Sequence, residues 1–163
     1  VANKYRKPKK PKLFRRLVFR LPIILYRLGL GQLMGEKFLL LEHTGRKTGS
    51  KRRAVLEVIR HDPTVGVYYV VAGFGERSDW LMNIKANPDV RIQVGNKFYP
   101  AIGVILNRER SSAEILDYAA RNPKLIKLLA KSLLGYQLKD EKGNLLELAN
   151  NLQVIRFHTI PEI

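Results

Sequence analysis

The sequence predicts an α+β fold built on one barrel-like sheet. Six short apolar runs rich in β-branched residues are separated by turn chemistry, and helical segments fall between them without regular β-α-β alternation. The 163 residues are the length of one domain that can bury a real core. With 45% hydrophobic and 27% charged residues, the composition is that of a globular protein, not a disordered one.

Residues 1–12 are rich in Lys, Arg and Pro, and lack the apolar content that would offset the entropy of ordering them, so a flexible basic arm is expected. Residues 13–163 then form the single domain. From Leu13 the spacing of Leu13, Leu17, Ile24 and Leu28, widened by Phe14, Val18, Leu21 and Leu25, predicts an amphipathic helix over 13–30. Arg16, Arg20 and Arg27 fall on its other face, and Pro22 kinks it. Its uncharged stretches stop well short of the roughly 20 apolar residues a bilayer span needs, and the arginines interrupt any signal-peptide pattern. Such a helix can lie on an anionic membrane surface or pack on its own barrel.

Strands are expected at Phe38–His43, Ala54–Arg60, Val67–Ala72, Val90–Val94, Phe98–Leu106 and Leu152–His158. Between them, Ser78 can cap a helix over Asp79–Ala86 that stops at Asn87-Pro88. Ser111 or Ser112 can cap a second through Ala120, Asn122-Pro123 opens a third over Lys124–Leu134, and a fourth covers Asn144–Asn150.

The formal net charge of +16 points to an anionic partner. Residues 1–20 hold nine Lys and Arg and no acid, so the first twenty residues supply nine of the sixteen excess charges. There is no cysteine, which excludes disulfides, thiolate metal sites, cysteine-held iron–sulfur clusters and a thiol nucleophile. The three histidines, His43, His61 and His158, lack ligand spacing, so no metal site is expected.

Residues 43–53, His-Thr-Gly-Arg-Lys-Thr-Gly-Ser-Lys-Arg-Arg, place six basic side chains, His43 included, in eleven positions. A strand end, two glycines that permit close backbone approach, Lys47 as a point charge and Arg52 as a planar fork suit phosphate or carboxylate. Taken alone, the run also describes a solvated basic hairpin. It is not a P-loop, being one residue short with the Lys displaced, and Gly73-Phe-Gly75 followed by Glu76-Arg77-Ser78 is not a dinucleotide fingerprint. Residues 70–88 run from a strand through a glycine-containing loop into a capped helix, whose N-terminal amides can face an anion.

Thr44-Gly-Arg-Lys-Thr-Gly49 with Arg52, then Ala72-x-x-Gly75 and Trp80-x-x-Asn83-x-x-Ala86-Asn87-Pro88, resemble the nitroreductase and quinone reductase family that depends on the deazaflavin coenzyme F420. The resemblance covers residues 37–100 well and the last third weakly. It implies a split β-barrel similar to the FMN-binding split barrels, with the coenzyme in a surface cleft. Lys47 and Arg52 would meet its phosphate and polyglutamate tail, with Arg46, Thr48 and Arg53 beside them. Ala54, Val55, Leu56 and Glu57, and then Val71, Ala72, Gly73 and Phe74, would line tail and ring, and Asp79, Trp80, Leu81, Met82 and Asn83 would lie at the helix end. The chain departs from the family pattern at Val55, where Pro is usual, at Gly73, where a small polar residue is usual, and at Leu81, often Tyr. Tyr136 is the candidate for the tyrosine-lined acceptor pocket.

The activity so implied is hydride transfer from reduced F420 to an electron-poor acceptor such as a quinone, an enone or a nitro compound. The closest rival keeps the barrel and binds FMN. From other classes come a nucleic-acid binder, supported by charge but lacking interleaved aromatics, and a coenzyme carrier without turnover. A cytoplasmic protein is expected, held peripherally at the inner membrane face through residues 1–30, and a homodimer is open to it.

Overall fold

The computed structural model describes residues 26, 28, 31–124, 126, 127 and 143–161. The basic arm, most of the helix expected over 13–30, most of Lys124–Leu134 and Tyr136 lie outside these residues. A short helical turn α1 (Gly31–Met34) leads through a 3-10 turn into strand β1 (Phe38–Thr44). Then come β2 (Lys51–Asp62), β3 (Val67–Ala72), helix α2 (Asp79–Ala86), β4 (Asp89–Val94) and β5 (Lys97–Ile105). Helix α3 (Arg108–Arg121), helix α4 (Gly143–Asn151) and β6 (Gln153–Thr159) complete the described chain.

The six strands close into an antiparallel barrel in the order β1-β2-β3-β6-β5-β4, with β4 returning to β1. Alternation dictates which side chains fill it. Leu39 and Leu41 of β1, Leu56 of β2, Tyr68 and Val70 of β3, Ile92 of β4, Ala101 of β5 and Ile155 and Phe157 of β6 make the interior cluster. The opposite parity carries Ile59 and Val154, which face outward and are covered by Ile115, Tyr118 and Ala119 of α3 and Leu148 and Ala149 of α4. With one residue in each cluster, the Val154-Ile155 pair is apolar because both faces of β6 are buried.

Most boundaries shift by one or two residues from the sequence expectation, and two shift further. Strand β2 begins at Lys51, not Ala54, because the Gly45 N–H donates to the Ser50 carbonyl (2.8 Å) and the Gly49 N–H to the Gly45 carbonyl (2.8 Å). These bonds close a tight loop, with Gly49 at φ +68°, and the ladder resumes at once with Thr44 opposite Lys51 and His43 opposite Arg52. Helix α3 begins at Arg108, capped by Asn107, whose side-chain oxygen accepts from the Arg110 N–H at 2.9 Å. Ser111 does not cap it; its buried Oγ accepts instead from the Val154 N–H (3.1 Å) and from Gln153 (3.0 Å), which ties α3 to β6.

Tyr26, buried at the edge of the described chain, donates its hydroxyl to the Phe38 carbonyl at 2.9 Å, and burial pushes its pKa up to about 12. Its ring lies against Gly31, where an added Cβ would fall 2.9 Å from it. The chain just before β1 therefore packs on the barrel at that point.

Candidate functional site

The end of β1, the start of β2, the end of β3 and the start of β4 meet at one mouth of the barrel, because antiparallel pairing alternates strand directions. The chain crosses that mouth from β3 to β4, and α2 is the crossing. Leu81 and Ile84 on one face of α2 enter the interior cluster, with Trp80 packed at its margin. Burying side chains of that size contributes roughly 1.5–3 kcal/mol each. The plug fits because β5 has Gly103 opposite it; a Cβ there would come within 2.9 Å of Ile84 and 3.2 Å of Phe157.

The basic loop folds over this plug. The Arg46 backbone N–H and its Nη1 both donate to Asn83 Oδ1, at 3.1 and 2.9 Å. Nη1 also approaches the Asp79 carbonyl at 3.4 Å, and Nη2 lies 3.6 Å from the Asp79 carboxylate. Arginine has donors only, so Arg46 fixes the Asn83 amide with its oxygen toward the loop. Asn83 Nδ2 then faces His43 Nδ1 at 3.1 Å, which makes Nδ1 the acceptor and leaves the ring proton on Nε2. His43 and Asn83 are buried, at 5% and 2% exposure. Burial first, and then the Arg52 charge opposite, holds the His43 pKa below the ordinary value of 6.5, so the imidazole is neutral near pH 7.

Strand alternation separates the two arginines that end the basic run. Arg53 points to the outer face, where its Nε and Nη2 bind Glu42 at 2.7 and 2.6 Å, with Arg91 3.9 Å from the same carboxylate. Arg52 takes the inner parity beside His43, its Nε 3.0 Å from where a Cβ on Gly45 would sit. Lys47, Lys51 and Arg52 are exposed, and among the described residues their side chains make no hydrogen bond or ion pair. Thr48 is exposed, and its Oγ1 accepts from the Ser50 N–H at 3.4 Å.

Across the mouth, a Cβ added at Gly73 or Gly75 would meet nothing within 4 Å, so the backbone there borders open space. Ser78 occupies the N-cap position of α2 but makes no side-chain cap bond; its buried Oγ has no partner. The first-turn amides of α2 lack intrahelical acceptors, as in any helix, and carry its positive dipole end.

The other expected site residues divide by position. Ala54 and Leu56 point into the barrel, and Ala72 and Leu81 are fully buried, so these four act through packing and backbone. Phe74 and Met82 are half-buried beside the mouth and Asp79 is exposed there. Val55, Glu57 and Val71 take the outer parity: Val71 packs under α3 and α4, and Glu57 accepts the Tyr118 hydroxyl at 2.6 Å. The fold thus gathers Lys47, Thr48, Arg52, Gly73, Phe74, Trp80 and Asn83 at one mouth, and sends Arg53, Glu57 and Val71 elsewhere.

A family model described as F420H(2)-dependent quinone reductase matches residues 26–124 of this chain. The chain belongs to that family. This reductase is 35% identical over 83 residues to Rv3178 of Mycobacterium tuberculosis, provisionally named an F420H(2)-dependent quinone reductase; the match covers 51% of this chain and 70% of the relative. Its fold resembles a solved structure titled F420-H2 dependent reductase, with a TM-score of 0.52 and 23% identity over 76% of this chain and 96% of that one. It also resembles a chain titled as a domain-swapped dimer, with a TM-score of 0.53 and 20% identity over 88% and 98%. Both are likenesses of fold, and they agree with the closed barrel.

The reductase is accordingly an oxidoreductase whose coenzyme is F420, and of the two coenzymes left open by the sequence the family assigns the deazaflavin. The mouth fits such a group. Three uncommitted cations suit a polyanionic tail, glycine backbone bordering open space suits close approach of a flat ring, and an orphaned buried hydroxyl at the start of α2 is a polar group without a partner.

Lys51, Ser78 and His43 were not among the expected site residues. The signal for His43 was present in strand parity, since it continues the inward row Leu39, Leu41 with a polar side chain. Ser78 carried no signal beyond its capping position.

Proposed function

We propose that this reductase binds F420 across the α2 mouth and reduces a quinone there, with enones and nitro compounds as further electron-poor acceptors. When bound, the reduced coenzyme supplies a hydride from its central ring carbon. Lys47, Lys51 and Arg52 hold the phosphate and the glutamate carboxylates of the tail, and Thr48 adds a hydroxyl beside them. The loop at Gly73 and Phe74 admits the ring edge, while Ser78 Oγ and the first-turn amides of α2 orient its polar atoms. Trp80 and the inward side chains of β2 keep water from the reacting face. Arg46 and Asn83 fix the loop against α2, so the protein's contribution is position, dryness and charge.

The observation that carries this reading is the set of three uncommitted cations beside glycine backbone that borders open space. Its test is equilibrium titration with oxidised F420, followed by fluorescence. A charge-assisted hydrogen bond lost from an anion costs roughly 1.5–3 kcal/mol, so Lys47→Ala/Arg52→Ala should weaken binding by about 100-fold or more. Unchanged affinity in the double variant would move the tail away from this loop. Quinone-dependent oxidation of F420H2 should accompany binding, and its absence with a panel of quinones would shift the acceptor to another class.

The basic arm and the helix expected over 13–30 support a second part of this proposal: a cytoplasmic enzyme drawn to an anionic membrane face, where a lipid-soluble quinone would be met. We propose residues 13–163 as a single domain, with the arm at 1–12 as an appendage.

A further inference from the structure

His43 is chemically active in principle yet touches nothing in the proposed reaction. It is buried beneath the basic loop and sits opposite Arg52, with Asn83 as its hydrogen-bond partner. Three elements bring charged groups toward it: Arg52 from β2, Asp79 from α2, and Arg46 from the loop by way of Asn83. The chain of contacts runs His43 Nδ1 to Asn83 Nδ2 (3.1 Å), then Asn83 Oδ1 to the Arg46 backbone N–H (3.1 Å) and guanidinium (2.9 Å). Each link has only one sense. Arg46 donates, so the Asn83 oxygen must face the loop, and the Asn83 NH2 can then bond only to an imidazole nitrogen that carries no proton.

We propose that His43 is the positioning residue of the coenzyme-tail loop: through Asn83 its unprotonated Nδ1 holds Arg46 and the loop residues 45–50 in place, and a proton on Nδ1 releases them. This rests on the reading that the loop binds the F420 tail. With Nδ1 protonated, two N–H donors face each other in a buried space, Asn83 loses its only acceptor on that side, and the amide no longer has a reason to keep its oxygen on Arg46. Lys47 and Arg52 then lose the frame that presents them.

The direction of the effect separates this role from simple charge. If His43 acted only as one more base near an anion site, acid would strengthen tail binding by adding a positive charge. A positioning role predicts the reverse. His43→Asn places a carbonyl oxygen where Nδ1 sits, keeps the acceptor and cannot titrate. His43→Leu keeps apolar bulk and removes the acceptor.

The experiment measures F420 affinity of the wild type, His43→Asn and His43→Leu between about pH 7.5 and about pH 4.5, a range that extends well below the ordinary imidazole value. Amide hydrogen exchange at residues 45–50 without coenzyme is followed in parallel, each rate divided by that of His43→Asn at the same pH so that the intrinsic pH dependence of exchange cancels. Dividing each affinity by that of His43→Asn at the same pH removes the titration of F420 itself. Near neutrality His43→Asn should match the wild type, and His43→Leu should bind about tenfold more weakly with faster exchange in the loop, as expected for one lost buried hydrogen bond. In acid the wild type should fall about tenfold relative to His43→Asn and approach His43→Leu, with loop exchange rising in step. A wild-type to His43→Asn affinity ratio that is constant with pH, or that rises in acid, would overturn the inference, as would loop exchange that keeps a constant ratio to His43→Asn. If exchange follows the predicted course while Lys47→Ala/Arg52→Ala leaves F420 affinity intact, the positioning role stands and the tail-binding reading fails.

Discussion

Gly103 decides whether α2 can plug the barrel, and no other residue type suits it. A methyl group there would sit 2.9 Å from Ile84 Cγ2 and 3.2 Å from the Phe157 ring, both in the interior cluster and with little room to retreat. Gly103→Ala should therefore cost about 1–3 kcal/mol of unfolding free energy, the range for overpacking a filled core, measured by urea denaturation. An unchanged midpoint would mean that Ile84 has an alternative position and that the plug is looser than its burial implies. His43 and Asn83 teach a different lesson at the same scale. They lie 40 residues apart in sequence, and neither means anything alone: the histidine reads as a stray base in a basic run and the asparagine as part of a motif. Only the fold puts an amide between an imidazole and an arginine. Arg52 and Arg53 read as neighbours in one charged loop, but the ladder resumes three residues before the first apolar position of β2 and sends them to opposite faces. The bonds that resume it are backbone to backbone, and side-chain patterns carry no trace of them.

Among the elements, α3 is fastened to β2 by polar ties, two of them between side chains. Arg60 binds Glu114 through Nε at 2.8 Å and stacks over the Tyr69 ring at 3.7 Å, and the Tyr118 hydroxyl donates to Glu57 at 2.6 Å. Burial first, and then the Glu57 bond, pushes the Tyr118 phenol well above its ordinary range, so it remains a donor near neutral pH. Tyr118→Phe should lower stability by roughly 1–3 kcal/mol, because a half-buried carboxylate loses its partner. F420 affinity should stay within about twofold of the wild type, since Glu57 faces α3 and not the mouth. A large loss of affinity at unchanged stability would return Glu57 to the coenzyme site. The strands themselves were legible in the sequence, each from its run of alternating or continuous apolar residues. Helix α3 was legible as a helix but not at its start: Ser111 and Ser112 look like caps, and the structure uses Ser111 to reach β6. A serine near a helix start has two competing acceptor roles, and local sequence does not rank them.

For the molecule as a whole, charge is distributed in two tiers. Most carboxylates of the barrel are engaged locally, as Glu42 is with Arg53 and Glu114 with Arg60, whereas residues 1–20 hold nine bases and no acid. No helix among the described residues is long and apolar enough to cross a membrane. If the arm and the following helix draw the enzyme to lipid, deleting residues 1–20 should abolish co-sedimentation with vesicles containing anionic lipid while leaving F420 affinity intact. The interaction of the undeleted chain should weaken steeply with salt, as polybasic attachment within a Debye length does. Sedimentation that survives the deletion would place any membrane contact beyond residue 20. The fold class followed from composition and strand spacing, whereas the order in which the strands join did not, because register between distant strands is set by packing that no single segment encodes.

That order has a consequence for how the chain is made. Strand β6, residues 153–159, lies between β3 and β5 and pairs with both along most of its length. Until those residues leave the ribosome, β3 and β5 each present an unpaired edge, and the remaining seam between β1 and β4 rests on three residue pairs, Leu40 with Gln93, Leu41 with Ile92 and Glu42 with Arg91. A nascent chain stopped short of β6 is therefore an open sheet with two sticky borders, the state most prone to pair with a neighbour of its own kind. The cell makes this enzyme safely only if the last strand arrives before another chain does.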